Sequence, residues 1–170
     1  YIGDWSSDVC SSDLLDVHVD SLAFYKHYKF QQIYKGVPVE GAGCIEHFDP
    51  AGNLIFTNAK HAIDINEDVI PTFNSQQIIN LLLNQLPPNY HYAWEHPLWE
   101  QQIQQDQQDS TATWYPTPKL MLAIDEIKNM YGDIDGTRYN LVYEIPLLIL
   151  TPFQKSIIYY VDAHDGTIFK

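Results

Sequence analysis

Seven histidines and 22 acidic residues give this chain the side chains that metal binding and acid–base catalysis require. A helical zinc hydrolase site needs two His four residues apart, with a Glu directly after the first, so that both imidazoles bind zinc and the carboxylate acts as general base. The chain instead contains Glu46-His47 and Glu95-His96, and neither pair has a second His four residues on. These pairs are therefore interpreted as surface or loop residues, and we expect no catalytic residue and no metal ligand in this chain.

Two acidic clusters further along the chain are better explained as turns. The stretch 133–138 begins like a calcium loop, but Arg138 stands at its sixth position, where such a loop requires glycine. A type I turn is the better interpretation there. Asp162, His164 and Asp165 crowd together at a predicted strand end, where the aspartate–glycine pair at 165–166 is typical of a hairpin turn. We therefore predict backbone turns at both places.

The charge and the hydropathy of the chain bear on two classes of partner, nucleic acids and membranes. Nine basic residues stand against 22 acidic ones, and Arg138 is the sole arginine. Binding to a phosphate backbone depends on Lys and Arg, so no nucleic-acid partner is expected. No apolar run reaches the roughly 18 residues of a membrane span, and the first residues lack the basic and apolar regions of a secretory leader. We therefore expect no membrane contact, and export is not visible in this sequence.

Residues 1–14 are set apart from the rest by their composition. Within them DWSSDVCSSDL, residues 4–14, matches the conceptual translation of a common short-read sequencing adapter. We expect residues 1–14 to be non-native and to lack contacts with the core; the alternative is a genuine Ser/Asp-rich arm. With Cys10 set aside, Cys44 stands alone in a strand pattern, which predicts a small buried hydrophobe and no disulfide framework.

The elements that would position functional residues are organised around HYKFQQIYKGVPVEG, residues 27–41. Its alternating pattern predicts a strand, a tight turn at Gly36 and a second strand, with Pro38 at the start of that strand or at a sheet edge. A strand remnant over 15–24 precedes it. A hairpin turn at 49–53 and a third strand at 54–56 follow it.

The second half of the chain begins with the clearest helix. Asn74 or Ser75 can cap it, Pro87 ends it, and its apolar stripe consists of Ile78, Ile79, Leu82, Leu83 and Leu86. A polar surface helix or loop is expected in the glutamine-rich stretch 101–108. Further strands are predicted at 120–124, 139–150 and 156–163, of which the first reads as central because it is apolar throughout.

Three stretches of this sequence resemble a known family. His-Tyr-Lys-Phe-Gln-Gln at 27–32 and Tyr-Lys-Gly-Val-Pro-Val-Glu-Gly at 34–41 resemble the signature of the propeptide domain of fungalysins and thermolysin-like zinc metallopeptidases. The end, 159–168, is similar to the Tyr-Tyr-Val-Asp-Ala-x-x-Gly-x-Ile pattern that closes such propeptides. The helix start at Ser75 resembles a PepSY-type domain, and 109–120 resembles an insertion of precursors of the Bacteroidetes type. The chain is thus expected to be a propeptide region truncated at both ends.

The resemblance implies a fold and a domain organisation. It implies an α+β chain of two small antiparallel-sheet units with few helices, of cystatin-like or PepSY-like type. The first unit would be a propeptide-like domain over 15–66, truncated at its N-terminus. The second would be a PepSY-like domain over 72–170.

The resemblance also implies a function, since such propeptides inhibit a secreted thermolysin-like peptidase and assist its folding. The partner would be the cognate catalytic domain in cis, and zinc and calcium would belong to that domain, with no cofactor here. Partner contacts are expected at Tyr34, Val37, Pro38, Val39, Tyr160, Val161 and Asp162, for which simple core or edge packing is the alternative. Rival interpretations are a free-standing exported PepSY-type inhibitor or binding module, and a small enzyme with a cleft between the units.

Overall fold

The computed structural model of the protein describes residues 10–20, 24–124 and 139–169. A 3₁₀ turn is formed by Ala93–Glu95. In chain order the elements are β1 (Cys10–Val19), β2 (Lys26–Tyr34), β3 (Val37–Phe48), β4 (Leu54–Lys60), α1 (Ser75–Gln85), β5 (His91–Tyr92), α2 (Pro97–Gln107), β6 (Lys119–Ile124), β7 (Tyr139–Thr151), β8 (Lys155–Asp162) and β9 (Ile168–Phe169).

The first compact unit comprises the described residues of 1–69 and 121–140, and β1 to β4 form an antiparallel meander within it. Lys35 and Gly36 join β2 to β3, with φ of 48° and 85°. Two successive positive φ values define a type I′ turn, whose twist matches that of the flanking strands. The predicted turn at Gly36 is thus confirmed. The predicted turn at 49–53 is confirmed as well, because the Gly52 N–H donates to the Asp49 carbonyl at 3.0 Å.

Strand β3 pairs with β2 and also with a second partner, and this second partner changes halfway along β3. Its second half, from Gly43 onward, pairs with β4, whereas Val39 in its first half pairs in parallel with Leu122 of β6. Val39 and Leu122 both have 0% exposure. The predicted central character of β6 is therefore confirmed at this position, and its partner is a strand distant in sequence.

The prediction of two small antiparallel-sheet units is wrong. The strands belong to one nine-stranded mixed sheet in the order β1-β2-β3-β6-β7-β8-β9, with β4 on β3 and β5 on β7. The parallel pair of β3 and β6 overturns the antiparallel expectation. Its physical cause is the apolar β6, which is buried on β3 and removes the free edge that a separate sheet would leave. The described chain divides into two compact units.

The second compact unit comprises the described residues of 70–120 and 141–170 and begins with α1. The Asn74 side chain accepts a hydrogen bond from the Gln77 N–H at 3.0 Å, and the Gln77 side chain accepts from the Asn74 N–H at 2.9 Å. This reciprocal capping box satisfies two backbone donors that a helix start leaves unpaired. Ile78, Ile79 and Leu82 are buried, as the apolar stripe predicted. The helix and its cap are thus confirmed.

The strands of the second unit show a two-residue burial period. Strand β7 pairs antiparallel with β8, and β8 with β9. Alternate residues of β7 lie in the core, as expected for a strand with one buried face. They are Leu141, Tyr143, Ile145, Leu147 and Ile149. Helix α2 has no buried residue, which confirms the polar surface helix predicted in the glutamine-rich stretch.

Candidate partner-binding surface

The signature hairpin, defined as residues 27–41, packs most of its predicted contact residues into the core of the first unit. Tyr34, Val37 and Val39 are buried, and Pro38 is half-buried. For Tyr34, Val37 and Val39, burial supports a role in core packing. Partner contact at these positions stays a prediction, and Pro38 alone of the four keeps an accessible part of its side chain.

Gln31 holds the bend at which β3 changes partner. The register between β2 and β3 jumps after the pair Gln31 and Gly43, and Val39 to Ala42 bulge out of the ladder. The Gln31 side-chain amide donates to the carbonyls of Val39 and Ala42. These two carbonyls belong to the bulge, so the amide replaces part of the missing ladder. The first glutamine of the signature is therefore a structural residue.

Gln32 ties the chain that follows β4 back to β2. Its side chain is only 3% exposed. Its amide oxygen accepts from the Ala62 N–H at 2.9 Å, and its amide nitrogen donates to the Ala62 carbonyl at 2.9 Å. A buried amide requires such partners, because an unpaired one loses its hydrogen bonds to water without replacement. The second glutamine of the signature is structural too.

One face of the β1–β4 meander carries a row of aromatic rings across four strands. His18, His27, His47 and Phe56 are successive cross-strand partners. The ring centroids are 6.0 Å apart for His18 and His27, 4.8 Å for His27 and His47, and 4.1 Å for His47 and Phe56. Nδ1 of His27 lies 2.6 Å from Nδ1 of His47, and the Asn58 amide lies 3.2 Å from Nε2 of His47.

Residues directly opposite each other on neighbouring strands share a face, so two further rows join this one. We call the three rows together the histidine face. Its second row is Asp16, Lys29, Ile45 and Asn58, and its third is Asp13, Gln31, Gly43 and Lys60.

The opposite side of the meander, which we call the tyrosine face, is largely apolar and partly exposed. Its outer members Val17, Val19 and Leu54 are 44%, 46% and 45% exposed. Between them Tyr28 packs edge-on against Phe48, with ring centroids 5.2 Å apart. The same rows also contain Leu14, Lys26, Phe30, Cys44, Glu46, Thr57 and Ala59. Exposed apolar side chains grouped on one face mark a surface suited to binding another protein.

The closing strand residues lie in the second unit and have structural contacts there. Val161 is fully buried, whereas Tyr160 and Asp162 are half-buried. The Asp162 carboxylate accepts from the N–H groups of His164 at 2.7 Å and Asp165 at 3.1 Å. The predicted turn with side-chain-to-backbone bonds is therefore confirmed at this strand end. The hairpin residues and the closing residues belong to different compact units, and their joint role stays a prediction.

The described residues offer little scope for metal or thiol chemistry. Within 10–20, 24–124 and 139–169, no three His, Cys, Asp or Glu residues are placed to hold a metal ion. The predicted turn at 133–136 lies outside the described residues. Cys44 is buried and free, and burial, followed by the nearby Glu46 carboxylate, raises its pKa. In the part of the chain that the structure describes, no helix is long and apolar enough to cross a bilayer.

Sequence reasoning missed the roles of Gln31 and Gln32 and the alignment of the histidines. A usable signal existed for Gln32, which falls on the inward side of an alternating strand, where a polar residue demands a partner. The histidine row had no local signal, since three histidines from three strands meet only once the register is known.

Comparison with known families gives a match over the meander. Residues 13–59 match the family described as the Fungalysin/Thermolysin Propeptide Motif. The matched segment contains the signature hairpin and nearly all of the meander, and it supports a propeptide of a thermolysin-type peptidase. No curated protein matches the chain.

Proposed function

We propose that this chain is a propeptide segment of an exported thermolysin-type zinc metallopeptidase, which inhibits the catalytic domain and assists its folding in cis. The observation that carries the proposal is the match of residues 13–59 to the propeptide motif. Zinc and calcium would be bound by the catalytic domain. The region 72–170 would act with the matched segment as a PepSY-like second part.

The tyrosine face supplies a physical means of docking. Val17, Val19 and Leu54 leave apolar surface in water, and its burial on a partner is worth about 25 cal/mol for each Å². Tyr28 and Phe48 hold the centre of this face with a fixed edge-on contact, so little side-chain freedom is lost on binding. Pro38, Tyr160 and Asp162 are the predicted contact residues that remain half-buried, and we retain them as additional contacts.

The tyrosine face, once folded, could also assist the folding of the catalytic domain. Proteins rich in contacts between residues distant in sequence fold slowly, because the entropy cost of closing long loops comes before the stabilising contacts form. An apolar face that is already ordered can stabilise a partly formed catalytic domain. It would remain bound after folding and so block substrate access until cleavage.

The test adds the full chain in trans to the mature peptidase encoded in the same gene and measures both inhibition and refolding rate. We expect inhibition at micromolar concentration and faster refolding. The variant Val17→Thr/Val19→Thr keeps β-branched residues on β1 while making them polar, and should weaken inhibition by about tenfold. The matched control is Leu98→Gln, which removes an apolar side chain that is 68% exposed on α2.

Two results would count against the proposal. The first is absence of both inhibition at micromolar concentration and faster refolding. The second is a gene that ends without a His-Glu-x-x-His sequence, which would favour the free-standing exported inhibitor.

A further inference from the structure

The chain between β4 and α1, residues 61–74, contains neither helix nor strand. It is the longest such segment within the described ranges 10–20, 24–124 and 139–169, and none of its residues is buried. A connection of this length without secondary structure is uncommon in a compact fold and usually serves a function. Proteolytic nicking also concentrates in exposed backbone of this kind. Residues 61–74 are therefore the described part of the chain best suited to enter a peptidase.

Hydrogen bonds hold this segment close to each of its ends. The N–H and the carbonyl of Ala62 both bond to the Gln32 side chain at 2.9 Å. At the other end the N–H groups of residues 72 and 73 donate to the Ala163 carbonyl, at 2.9 and 3.2 Å. Residues 63–71 lie between these attachments, and fully extended they span about 30 Å. This length is sufficient for the strand-like conformation in which an endopeptidase binds its substrate.

Two isoleucines of the segment present their side chains to solvent. Ile63 and Ile70 are 75% and 73% exposed, and among the described large hydrophobic side chains only Phe153 exceeds them, at 80%. Phe153 lies in the tight connection between β7 and β8, where a paired strand follows on each side. An isoleucine in the segment can instead enter an apolar pocket of a peptidase without first leaving the core.

The backbone distinguishes the two isoleucines. Ile63 follows Ala62, whose N–H and carbonyl are both hydrogen-bonded, and precedes Asp64, which has a φ of 56°. A residue in the left-handed region interrupts an extended strand. No residue from 65 to 73 has a positive φ. The backbone around Ile70 is therefore the better fit to a strand-like substrate.

We propose that the Val69–Ile70 bond is a cleavage site for an endopeptidase that binds an aliphatic side chain on the carboxyl side of the scissile bond. The bond after Ile70 is unsuited, because Pro71 has a fixed φ and no N–H. On the amino side, the Lys35 ammonium group donates to the Glu67 carbonyl at 3.4 Å, a long and exposed hydrogen bond that opens at little cost.

Hydrolysis of this bond consumes one water molecule. The hydroxyl group of water joins the Val69 carbonyl carbon, and its hydrogen joins the Ile70 nitrogen as the peptide bond breaks. Transfer of the carboxyl proton to the new amine then leaves a carboxylate terminus on Val69 and an ammonium terminus on Ile70.

The cut falls where the chain passes from the first compact unit into the second. It separates β1 to β4 covalently from everything that follows, but it leaves the pairing of Val39 with Leu122 in place. The two pieces are then held by non-covalent contacts alone, so their association becomes dependent on concentration. This inference does not depend on the proposed function, because its readout is cleavage of the chain itself and requires no cognate catalytic domain.

The test incubates the full chain with thermolysin, a peptidase of this specificity, and follows fragment masses and new amino termini over time. We expect a fragment that begins at Ile70 among the first products. Ile70→Asp removes the aliphatic side chain and should slow this cut by at least about tenfold. The matched control is Ile63→Asp, the same exchange at similar exposure in the same segment, which should change the rate by less than about twofold.

A second variant separates local opening from global unfolding. Gly52→Ala places a side chain at a φ of 88° and should raise the globally unfolded population roughly fivefold. Cleavage that requires only local opening keeps its rate in this variant. Thermal midpoints show whether each variant remains folded. Absence of the fragment that begins at Ile70, equal slowing by Ile63→Asp and Ile70→Asp, or a roughly fivefold faster cut in Gly52→Ala would overturn the proposal.

Discussion

Gln32 and Ala62 pair amide to amide, with the side chain of one meeting both backbone polar groups of the other at 2.9 Å. The pair joins β2 to the segment that follows β4. The Gln32 side chain thus makes the two hydrogen bonds that a neighbouring strand would otherwise make. Since Gln32 is buried, neither partner can regain its hydrogen bonds from water if the other is lost. This contact stabilises the matched segment as a whole.

Replacing Gln32 by Glu should destabilise the protein strongly. The carboxylate keeps the shape but cannot donate to the Ala62 carbonyl, and it places a charge in a buried position. We expect a loss of about 2–3 kcal/mol in the free energy of unfolding, measured by urea denaturation at neutral pH. The control is Gln101→Glu on α2, where the side chain is exposed. Equal effects of the two substitutions would contradict the structural role of Gln32.

Gly43 should tolerate alanine far less well than Gly52. A Cβ on Gly43 would overlap the backbone carbonyl oxygen of Phe30, whereas a Cβ on Gly52 meets nothing within 4 Å. Gly52 has a φ of 88°, so Gly52→Ala carries only the cost of a positive φ, about 1 kcal/mol. Gly43→Ala should cost at least about 3 kcal/mol, because the backbone itself must shift. Chemical denaturation of both variants checks the difference, and similar midpoints would refute the close approach of β2 and β3.

The turn after β3 should contribute stability that acid removes. Hydrogen bonds from the Asn53 side chain and backbone, at 2.9 and 2.8 Å, lower the pKa of Asp49 from 3.8. Because the folded-state pKa is depressed, this contribution is present above the unfolded value and disappears as pH falls through the folded one.

Asp49→Asn should therefore lower stability more at about pH 7 than at about pH 2, because the contribution of the ionised carboxylate is lost as the pH falls through the folded-state pKa. Urea midpoints of both proteins at the two pH values provide the measurement. A difference that persists unchanged in acid would show that the effect is not one of ionisation.

The origin of residues 1–14 stays a prediction, and deletion tests it. The structure pairs 10–14 with β2 at the edge of the sheet, and Asp13 and Leu14 are exposed. Two of the β2 partners, Ile33 and Tyr34, belong to the core, so the expectation of no core contact is wrong for residues 10–14. We expect deletion of residues 1–14 to leave the thermal midpoint unchanged. A decrease of several degrees, which corresponds to about 1 kcal/mol in a chain of this size, would show that the start of β1 is part of the fold.

Local elements of this fold were accessible from sequence. The I′ turn at Lys35 and Gly36, the capped helix at Asn74 and the turn after Asp162 each follow from residues a few positions apart. Turn and cap chemistry acts over such distances, and a single sequence displays it directly.

The pairing of distant strands was not accessible from sequence. Burial of Leu122 was foreseeable from the apolar run of β6, but nothing local shows that Val39 is its partner or that the pair is parallel. The histidine face depends on the register of four strands, so the sequence alone does not reveal it. Only the family resemblance marks Tyr34, Val37 and Val39 as contact residues, and resemblance does not distinguish buried from exposed positions.

The division of β3 between two partner strands has a consequence for the order of folding. The signature hairpin can form soon after synthesis, because its turn and its glutamine contacts lie within residues 27–62. Val39, however, lacks its β6 partner until Leu122 has been synthesised, and residues 70–120 between them belong to the other compact unit. A fragment limited to residues 13–62, which keeps the Gln32 contact with Ala62, should therefore expose an apolar strand edge and aggregate, whereas adding a peptide of the β6 sequence should restore its solubility.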